Sequence, residues 1–204
     1  MKNLYLCNVE SWRMKFWKYI LIIVALGVVG CKKTYTPKGY GYYRIDVPEF
    51  NYEHFAPKGY PYQFELSTNA VVDFQPRDAE PYWIDIRYPQ FRAKIHCTYK
   101  RIRNRKDFRA FSNECQDFVY NHVNKASSIP EKEFSNDSLH IWGLFYELRG
   151  NTASPIQLYL TDSVHHFFRG AVYIESLPNQ DSLAPVINYI VADAMHLVET
   201  FQWQ

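Results

Sequence analysis

Short segments in which hydrophobic and polar residues alternate are the main pattern of this chain. In residues 83–88, for example, Ile84 and Ile86 alternate with Asp85 and Arg87. A period of two places successive side chains on opposite faces of a strand, so the pattern predicts half-buried β-strands. With the short apolar runs included, seven strands are predicted: 62–66, 70–74, 83–88, 93–99, 141–148, 156–161 and 167–175.

Two longer segments have the three- and four-residue spacing of amphipathic helices. The first is predicted to begin at Asp107 as N-cap, and the second at Asp181 or Ser182, with Pro185 tolerated in its first turn. The predicted apolar stripes are Phe108, Phe111, Cys115, Phe118, Val119 and His122 in the first helix, and Val186, Ile187, Ile190, Val191, Ala194, Leu197, Val198 and Phe201 in the second.

The order of these elements is strands, helix, strands, helix, which predicts an α+β fold with an antiparallel β-sheet flanked by helices. Gly150 and Asn151 mark a tight turn between two of the strands, and short links of this kind favour antiparallel neighbours. Residues 62–204 are predicted to form a single α+β domain. The spacing of the elements is similar to that of the PsbP/Mog1-like sandwich, an analogy of fold that implies no function.

Residues 31–61 precede this domain and combine turn residues with many aromatic rings. Pro37, Gly39, Gly41, Pro48 and Pro57 predict a tether and an extended arm. One interpretation is an arm that crosses the domain and packs its rings there; the other is an exposed aromatic strip for a protein or glycan partner. The rings are Tyr40, Tyr42, Tyr43, Phe50, Tyr52, Phe55 and Tyr60.

The most hydrophobic stretch lies further upstream, in residues 14–31. Lys15 and Lys18 precede an apolar run that ends in Gly30 and Cys31. A run this short with a basic front predicts a signal peptide, residues 1–30, rather than a spanning helix. Cys31 at the first position after the cut resembles the bacterial lipobox, so Cys31 is the predicted lipidation site, and buried acyl chains would anchor the protein to a membrane.

The segment before Met14 fits a signal peptide poorly, because Glu10 and Cys7 precede the basic residues. We therefore expect translation to begin at Met14. Removing residues 1–30 removes four of the 23 basic and one of the 21 acidic residues, which leaves 19 and 20 and a net charge of −1. No nucleic-acid partner is expected from that balance.

Two cysteines, Cys97 and Cys115, follow Cys31, one in a predicted strand and one in a predicted helix. In an oxidising compartment they can form a disulfide if the helix packs on that strand; the alternative is two small buried thiols. Their spacing fits no zinc site, and no metal or cofactor is expected.

Candidate catalytic groups are few. His165 and His166 follow Asp162 and Ser163, but adjacent histidines of a strand point to opposite faces, so a turn stabilised by Asp162 or Ser163 is the expected role. No GxSxG elbow or glycine-rich phosphate loop is present, and no catalytic residue is predicted.

A cluster of basic residues is either a solvated face or a docking surface for anionic head groups or an acidic partner. It comprises Arg92, Lys94, Lys100, Arg101, Arg103, Arg105, Lys106 and Arg109.

Several short segments, taken together in their order and spacing, resemble the GldD family of gliding motility lipoproteins of Bacteroidetes. They are PKGY (37–40), PYQF (61–64), IRYP (86–89), YNHVNKA (120–126), GLFYE (143–147), GNTAS (150–154), TDSVHHF (161–167), PNQDSL (178–183) and ETF (199–201). The resemblance extends from Cys31 to the C-terminus, and Cys31 is the only functional position that it carries over.

The resemblance implies a non-enzymatic, lipid-anchored protein of the cell envelope. Its expected partners are other envelope proteins of gliding and of the type IX secretion system, which it would scaffold or stabilise. Lys32 and Lys33 after Cys31 favour a domain that faces the periplasm. Two other hypotheses are a ligand-binding module that holds a glycan or peptide with Tyr42 and Tyr43, and a hydrolase built around His165 and His166.

Overall fold

The computed structural model describes Trp17 and residues 45–75, 81–121, 125–175 and 180–204. The chain divides into two units, Met1–Gly41 and Tyr42–Gln204, and the elements below all lie in the second. The helices are α1 (Arg105–Tyr120) and α2 (Gln180–Thr200), and Pro89–Phe91 forms a 3-10 turn. The strands are β1 (Tyr52–Phe55), β2 (Tyr62–Ser67), β3 (Val71–Phe74), β4 (Ile84–Tyr88), β5 (Ala93–Arg101), β6 (Ala126–Ser128), β7 (Glu131–Asn136), β8 (Ile141–Glu147), β9 (Arg149–Gly150), β10 (Ile156–Thr161), β11 (His166–Ile174) and β12 (Gln202–Trp203).

The described strands form one large antiparallel sheet and two small ones. The large sheet has seven strands in the order β3-β4-β5-β11-β10-β8-β7, β1, β2 and β12 form a three-stranded sheet, and β6 pairs with β9. The predicted α+β fold, an antiparallel sheet flanked by helices, is confirmed. All seven predicted strands are present, each within two residues of its predicted limits.

The main core lies between one face of the seven-stranded sheet and a layer formed by α2 and the three-stranded sheet. Its centre is aromatic: Tyr62, Phe64, Phe168 and Phe201 are fully buried, and the Phe168 and Phe201 ring centroids lie 5.0 Å apart. Helix α1 covers part of the opposite face, where Cys115 and Val119 are buried. Alternate side chains of β5 and β11 therefore pack into two separate apolar layers, one on each face of the sheet.

The helices begin earlier than the sequence predicts. Asn104, not Asp107, is the N-cap of α1, and its side-chain oxygen accepts hydrogen bonds from the backbone amides of Lys106 and Asp107 at 2.9 and 3.1 Å. The prediction failed because the first turn of α1 is polar and carries none of the apolar stripe. Likewise, α2 begins at Gln180, so Asp181, Ser182 and Pro185 lie inside it rather than at its cap or in its first turn.

The aromatic arm forms part of the domain. Strand β1 pairs with β2, and Tyr52 stacks on His196 of α2 with 3.6 Å between ring centroids. Phe50 stacks on Tyr189 at 4.7 Å. Of the two interpretations, packing on the domain is the one that these rings show. Tyr40, Tyr42, Tyr43 and the predicted stripe residue His122 lie outside the described residues.

The link between β8 and β10 is longer than the predicted tight turn. The two strands are antiparallel neighbours, as expected, with Glu147 opposite Ile156. Gly150 has a φ of +113°, which glycine adopts without strain, but it belongs to β9, which pairs with β6. The link thus contains β9, which joins β6 in a separate two-stranded sheet, and it is not a two-residue hairpin.

Candidate functional site

A cleft opens where α1 leaves the seven-stranded sheet uncovered. Helix α1 packs over β10 and β11, and the same face of β3, β4 and β5 carries no helix in the described part of the chain. The cleft at this boundary has a volume of about 260 Å³. It is lined by Trp83, His96, Thr98, Lys100, Glu114, Cys115, Phe118, Phe167, Arg169 and Tyr173.

Strand register gathers charged groups on the floor of the cleft and beside it. Asp85 of β4 lies opposite His96 of β5, and its carboxylate contacts His96 Nδ1 at 2.5 Å and Lys94 Nζ at 3.1 Å. Asp85 is buried, so these two partners compensate for the loss of water around its charge. Thr98 lies opposite Arg169 of β11, which places the Arg169 guanidinium in the same layer as His96.

Arg169 has an incompletely satisfied guanidinium. Its Nη2 donates to Gln157 Oε1 at 3.0 Å, and its Cζ lies 4.5 Å from the centre of the Phe118 ring. Its Nε is buried and has no acceptor among the described residues. At the other side of the cleft, Lys100 Nζ pairs with Glu114 at 2.7 Å.

Cys115 lines the cleft but is not an activated nucleophile. Burial raises the pKa of its thiol to about 12, so the thiol is protonated at neutral pH. Although Cys115, His96 and Asp85 are the residue types of a nucleophile, a base and an orienting acid, no hydrogen bond joins Cys115 to His96 among the described contacts. The geometry of a nucleophilic triad requires that bond.

For Cys97 and Cys115 the sequence left open a disulfide or two buried thiols, and in the structure both thiols are free. Cys97 faces the main core together with Ile95 and Tyr99, whereas Cys115 packs against Phe167 on the opposite face of the sheet. The helix does pack on the sheet, but on the face away from the Cys97 side chain. Of the two alternatives, the pair of small buried thiols is the one observed.

The Asp162–His166 segment is a turn, as expected. The Asp162 Oδ1 atom accepts hydrogen bonds from the backbone amides of Val164, His165 and His166 at 3.0, 2.7 and 2.7 Å. His165 is exposed, while His166 bonds to the Tyr99 hydroxyl at 2.7 Å. Within the described ranges, no three His, Cys, Asp or Glu side chains are grouped as a metal site requires.

The basic cluster is only partly neutralised. Lys94, Lys100 and Arg103 pair with Asp85, Glu114 and Asp107 respectively. The remaining five side chains are exposed, and none is in an ion pair among the described contacts: Arg92, Arg101, Arg105, Lys106 and Arg109. Four of these five lie at the end of β5 and in the first turns of α1, so they form one positively charged corner of the domain.

The sequence did not predict the cleft. Trp83, Asp85 and His96 were visible only as the polar positions of two alternating strands. The signal that could have revealed it is the register of β4 against β5, because pairing these two antiparallel strands places Asp85 opposite His96. Cys31, the predicted lipidation site, lies outside the described residues. No helix within those residues combines the length and hydrophobicity needed to span a membrane.

The fold and the cleft together define an α+β sandwich domain with one partly open sheet face. A family model described as gliding motility lipoprotein GldD matches residues 32–203, and the chain belongs to this family. Membership implies a membrane-associated lipoprotein with a role in gliding motility.

Comparison with curated proteins finds no match. Among solved structures, the chain is similar to the solution structure of cyanobacterial PsbP (CyanoP) from Synechocystis sp. PCC 6803, with 10% sequence identity and a TM-score of 0.43. The similarity covers 79% of this chain and 98% of that chain.

Proposed function

We propose that this chain is a non-enzymatic lipoprotein of the cell envelope that supports gliding motility and type IX protein secretion by holding partner components together. The observation that carries the proposal is the family match over residues 32–203. The chemistry of the cleft agrees with a non-enzymatic role, because the Cys115 thiol is protonated and no hydrogen bond joins it to His96 among the described contacts.

Cys31 is the proposed anchor. Two or three acyl chains on this residue would hold the domain at a membrane, since each buried CH₂ contributes about 0.8 kcal/mol. Residues 32–44 separate Cys31 from the described domain, and a chain of that length reaches at most about 45 Å when extended. The domain would therefore act close to the membrane surface, which we place on the periplasmic side.

The positively charged corner is the proposed contact with a partner. Arg101, Arg105, Lys106 and Arg109 are exposed, so a partner with an acidic surface would gain charge–charge attraction without breaking ion pairs of the domain. The lipid anchor would already supply membrane attachment. We therefore assign this corner to a protein partner rather than to lipid head groups.

A deletion strain tests the proposal. It would be complemented with the wild-type gene, with Cys31→Ala, or with Thr34→Ala as a control that lies just after Cys31 and leaves the lipobox intact. We expect loss of spreading and an altered secreted-protein profile in the deletion strain. The wild type and Thr34→Ala should restore both traits, and Cys31→Ala should restore neither. Normal spreading and secretion in the deletion strain would disprove the proposed role.

A pull-down from solubilised membranes tests the scaffold role separately. We expect the wild-type protein to recover motility and secretion components. Replacing Arg101, Arg105, Lys106 and Arg109 by Gln should reduce that recovery. Recovery of no such component would count against scaffolding even if the deletion phenotype is present.

Ligand binding is the second candidate function. The arm residues first expected to hold a ligand, Tyr42 and Tyr43, lie outside the described residues. The described arm rings pack on α2 and β2 instead of forming a ligand site. The observation that does favour it is the cleft beside α1, which combines cationic groups with aromatic walls.

A further inference from the structure

We propose that the cleft between α1 and strands β4, β5 and β11 binds a small organic carboxylate that carries a flat or branched apolar group, up to about the size of a dipeptide. Arg169 would receive the carboxylate, and the aromatic walls would cover the apolar group. The inference rests on the cleft alone and not on the proposed motility role, so either can fail without the other.

The first argument is the unused hydrogen-bonding capacity of Arg169. A guanidinium has five N–H donors in a planar fork that matches a carboxylate. Within the described residues, its contacts are Gln157 Oε1 and the thiol of Cys115, which is a weak acceptor, and the buried Nε has no acceptor. A buried donor without a partner is unfavourable, so an acceptor group supplied to this guanidinium from the cleft would be stabilised.

The second argument is the charge balance of the lining. Arg169 and Lys100 are cations, and Glu114 is the single carboxylate among the lining residues. Glu114 is already paired with Lys100 at 2.7 Å, which leaves the charge of Arg169 without an acidic partner in the described part of the chain. The cleft is therefore selective for a negatively charged ligand over a neutral or cationic one.

The third argument is the apolar wall. Phe118 and Tyr173 are 40% and 38% exposed, which is unusual for large rings that face one concavity. Trp83 is fixed in place, because its Nε1 donates to the Tyr99 carbonyl oxygen at 3.1 Å. Covering these rings with an apolar group would remove their surface from water, at about 25 cal/mol per Å².

The volume restricts the ligand. Sites for drug-sized molecules usually occupy roughly 300–1,000 Å³, so a cleft of about 260 Å³ suits a smaller compound. A folded partner or a long oligosaccharide would not enter it. An acidic monosaccharide would fit by size and charge, but its hydroxyl groups would meet Phe118 and Phe167, which offer them no hydrogen-bond partners.

Calorimetric titration of the full-length protein tests the proposal with four probes. We expect N-acetyl-phenylalanine to bind, and N-acetyl-phenylalanine amide, which lacks the carboxylate, to bind at least about tenfold more weakly. Acetate, which lacks the apolar group, and glucuronate, an acidic sugar, should also bind at least about tenfold more weakly. Equal binding of the acid and the amide, tighter binding of glucuronate, or no binding of the acid at about 10 mM would overturn the proposal.

A pair of charge-matched variants locates the site. Arg169→Gln should weaken binding of the acid at least about tenfold and leave binding of the amide unchanged. Lys132→Gln removes the same charge at an exposed position of β7 and should change neither. Because Arg169 also contacts Gln157 and Phe118, folding of Arg169→Gln would be checked by thermal unfolding. The comparison of acid with amide on the wild type needs no variant and stands if Arg169→Gln fails to fold.

Discussion

Asp193 of α2 is a buried carboxyl that links the arm to the helix. Its Oδ1 accepts a hydrogen bond from the Tyr52 hydroxyl at 3.0 Å, whereas its Oδ2 is buried and no described residue meets it in hydrogen-bonding geometry. Burial raises the pKa of Asp193 above its ordinary value, although the neighbouring hydroxyls of Tyr52, Ser67 and Tyr88 lower it in part. The ionised form is therefore unfavourable in the folded state.

The stability of the protein should consequently depend on pH through Asp193. Between the ordinary pKa of an unfolded aspartate and the raised pKa in the fold, the folded state binds more protons, so stability falls as pH rises through that interval. Asp193→Asn removes this titration. We expect the variant to be more stable than the wild type by about 1 kcal/mol at pH 7 and nearly equal to it at pH 3, measured by urea unfolding.

Glu199→Gln, an exposed position of the same helix, is the control for Asp193→Asn, and its stability should change by less than about 0.5 kcal/mol at either pH. A difference between Asp193→Asn and the wild type that does not vary with pH would contradict the assignment to Asp193.

The two buried thiols give a second prediction at the scale of single residues. Burial raises the pKa of both Cys97 and Cys115, so both should react slowly with iodoacetamide in the folded protein. In urea without reductant, mass spectrometry should find both residues alkylated to the same extent as in a reduced sample. Alkylation that appears only after reduction would show that a disulfide forms despite the observed geometry.

At the scale of elements, the first turn of α1 depends on Asn104. Asn104→Ala should lower the free energy of unfolding by about 1 kcal/mol, because two backbone amides lose their acceptor. Asn104→Ser should retain most of the stability, since serine is also a good N-cap. Chemical denaturation of both variants measures the difference.

Asp107→Ala distinguishes the two candidate caps of α1. The Asp107 side chain accepts from the Arg103 backbone amide and pairs with the exposed Arg103 side chain, so its loss should cost less than the loss of Asn104. A larger loss of stability in Asp107→Ala than in Asn104→Ala would identify Asp107 as the N-cap.

An element can be predicted from the sequence when one of its faces is buried, because its apolar residues then recur with the period of a strand or a helix. Strands β4 and β5 and the stripe of α2 were predicted for this reason, and Ile190, Ala194 and Val198 are all buried as expected. Strand β7 was missed because four of its six residues are exposed, and β12 because two residues carry no period. Asp193 was not expected on the buried side of α2, since only its tertiary neighbours give its carboxyl a partner.

At the scale of the molecule, the arm determines where the domain begins. Strand β2 has β1 on one side and β12 on the other, so removal of the arm would leave β2 as an edge and uncover the face of Tyr189 on which Phe50 stacks. The sequence placed the domain boundary at residue 62 because prolines and glycines surround β1 in the arm. Strand β1 has only four residues and none of them is buried, so its local pattern does not reveal the pairing with β2.

Two truncated chains test that boundary. The fragment 45–204 should unfold cooperatively, and the fragment 62–204 should be less stable by more than about 2 kcal/mol, because it lacks β1 and the Phe50 and Tyr52 rings. Thermal and urea unfolding of both fragments measure the difference. Equal stability of the two fragments would support a domain boundary at residue 62 and would mean that the arm is part of the tether.

The site was less predictable than the fold because it depends on which strands become neighbours. Asp85 and His96 are eleven residues apart in sequence, and Arg169 is far from both. They meet because β4, β5 and β11 are adjacent in the sheet and α1 stops short of covering β4 and β5. Local pattern identifies the polar face of each strand, but it does not say which polar faces a helix will leave open.

The position of β12 has a consequence for the timing of folding. Gln202 pairs with Gln63 across 139 residues of sequence, and Phe201 enters the main core beside Phe64. Such long-range contacts form slowly. While the ribosome is still synthesising α2, neither the core nor the small sheet can close, so the nascent chain remains without its final packing. Delayed closure of this kind would suit secretion through the predicted signal peptide, because an unpacked chain can be threaded through a translocon.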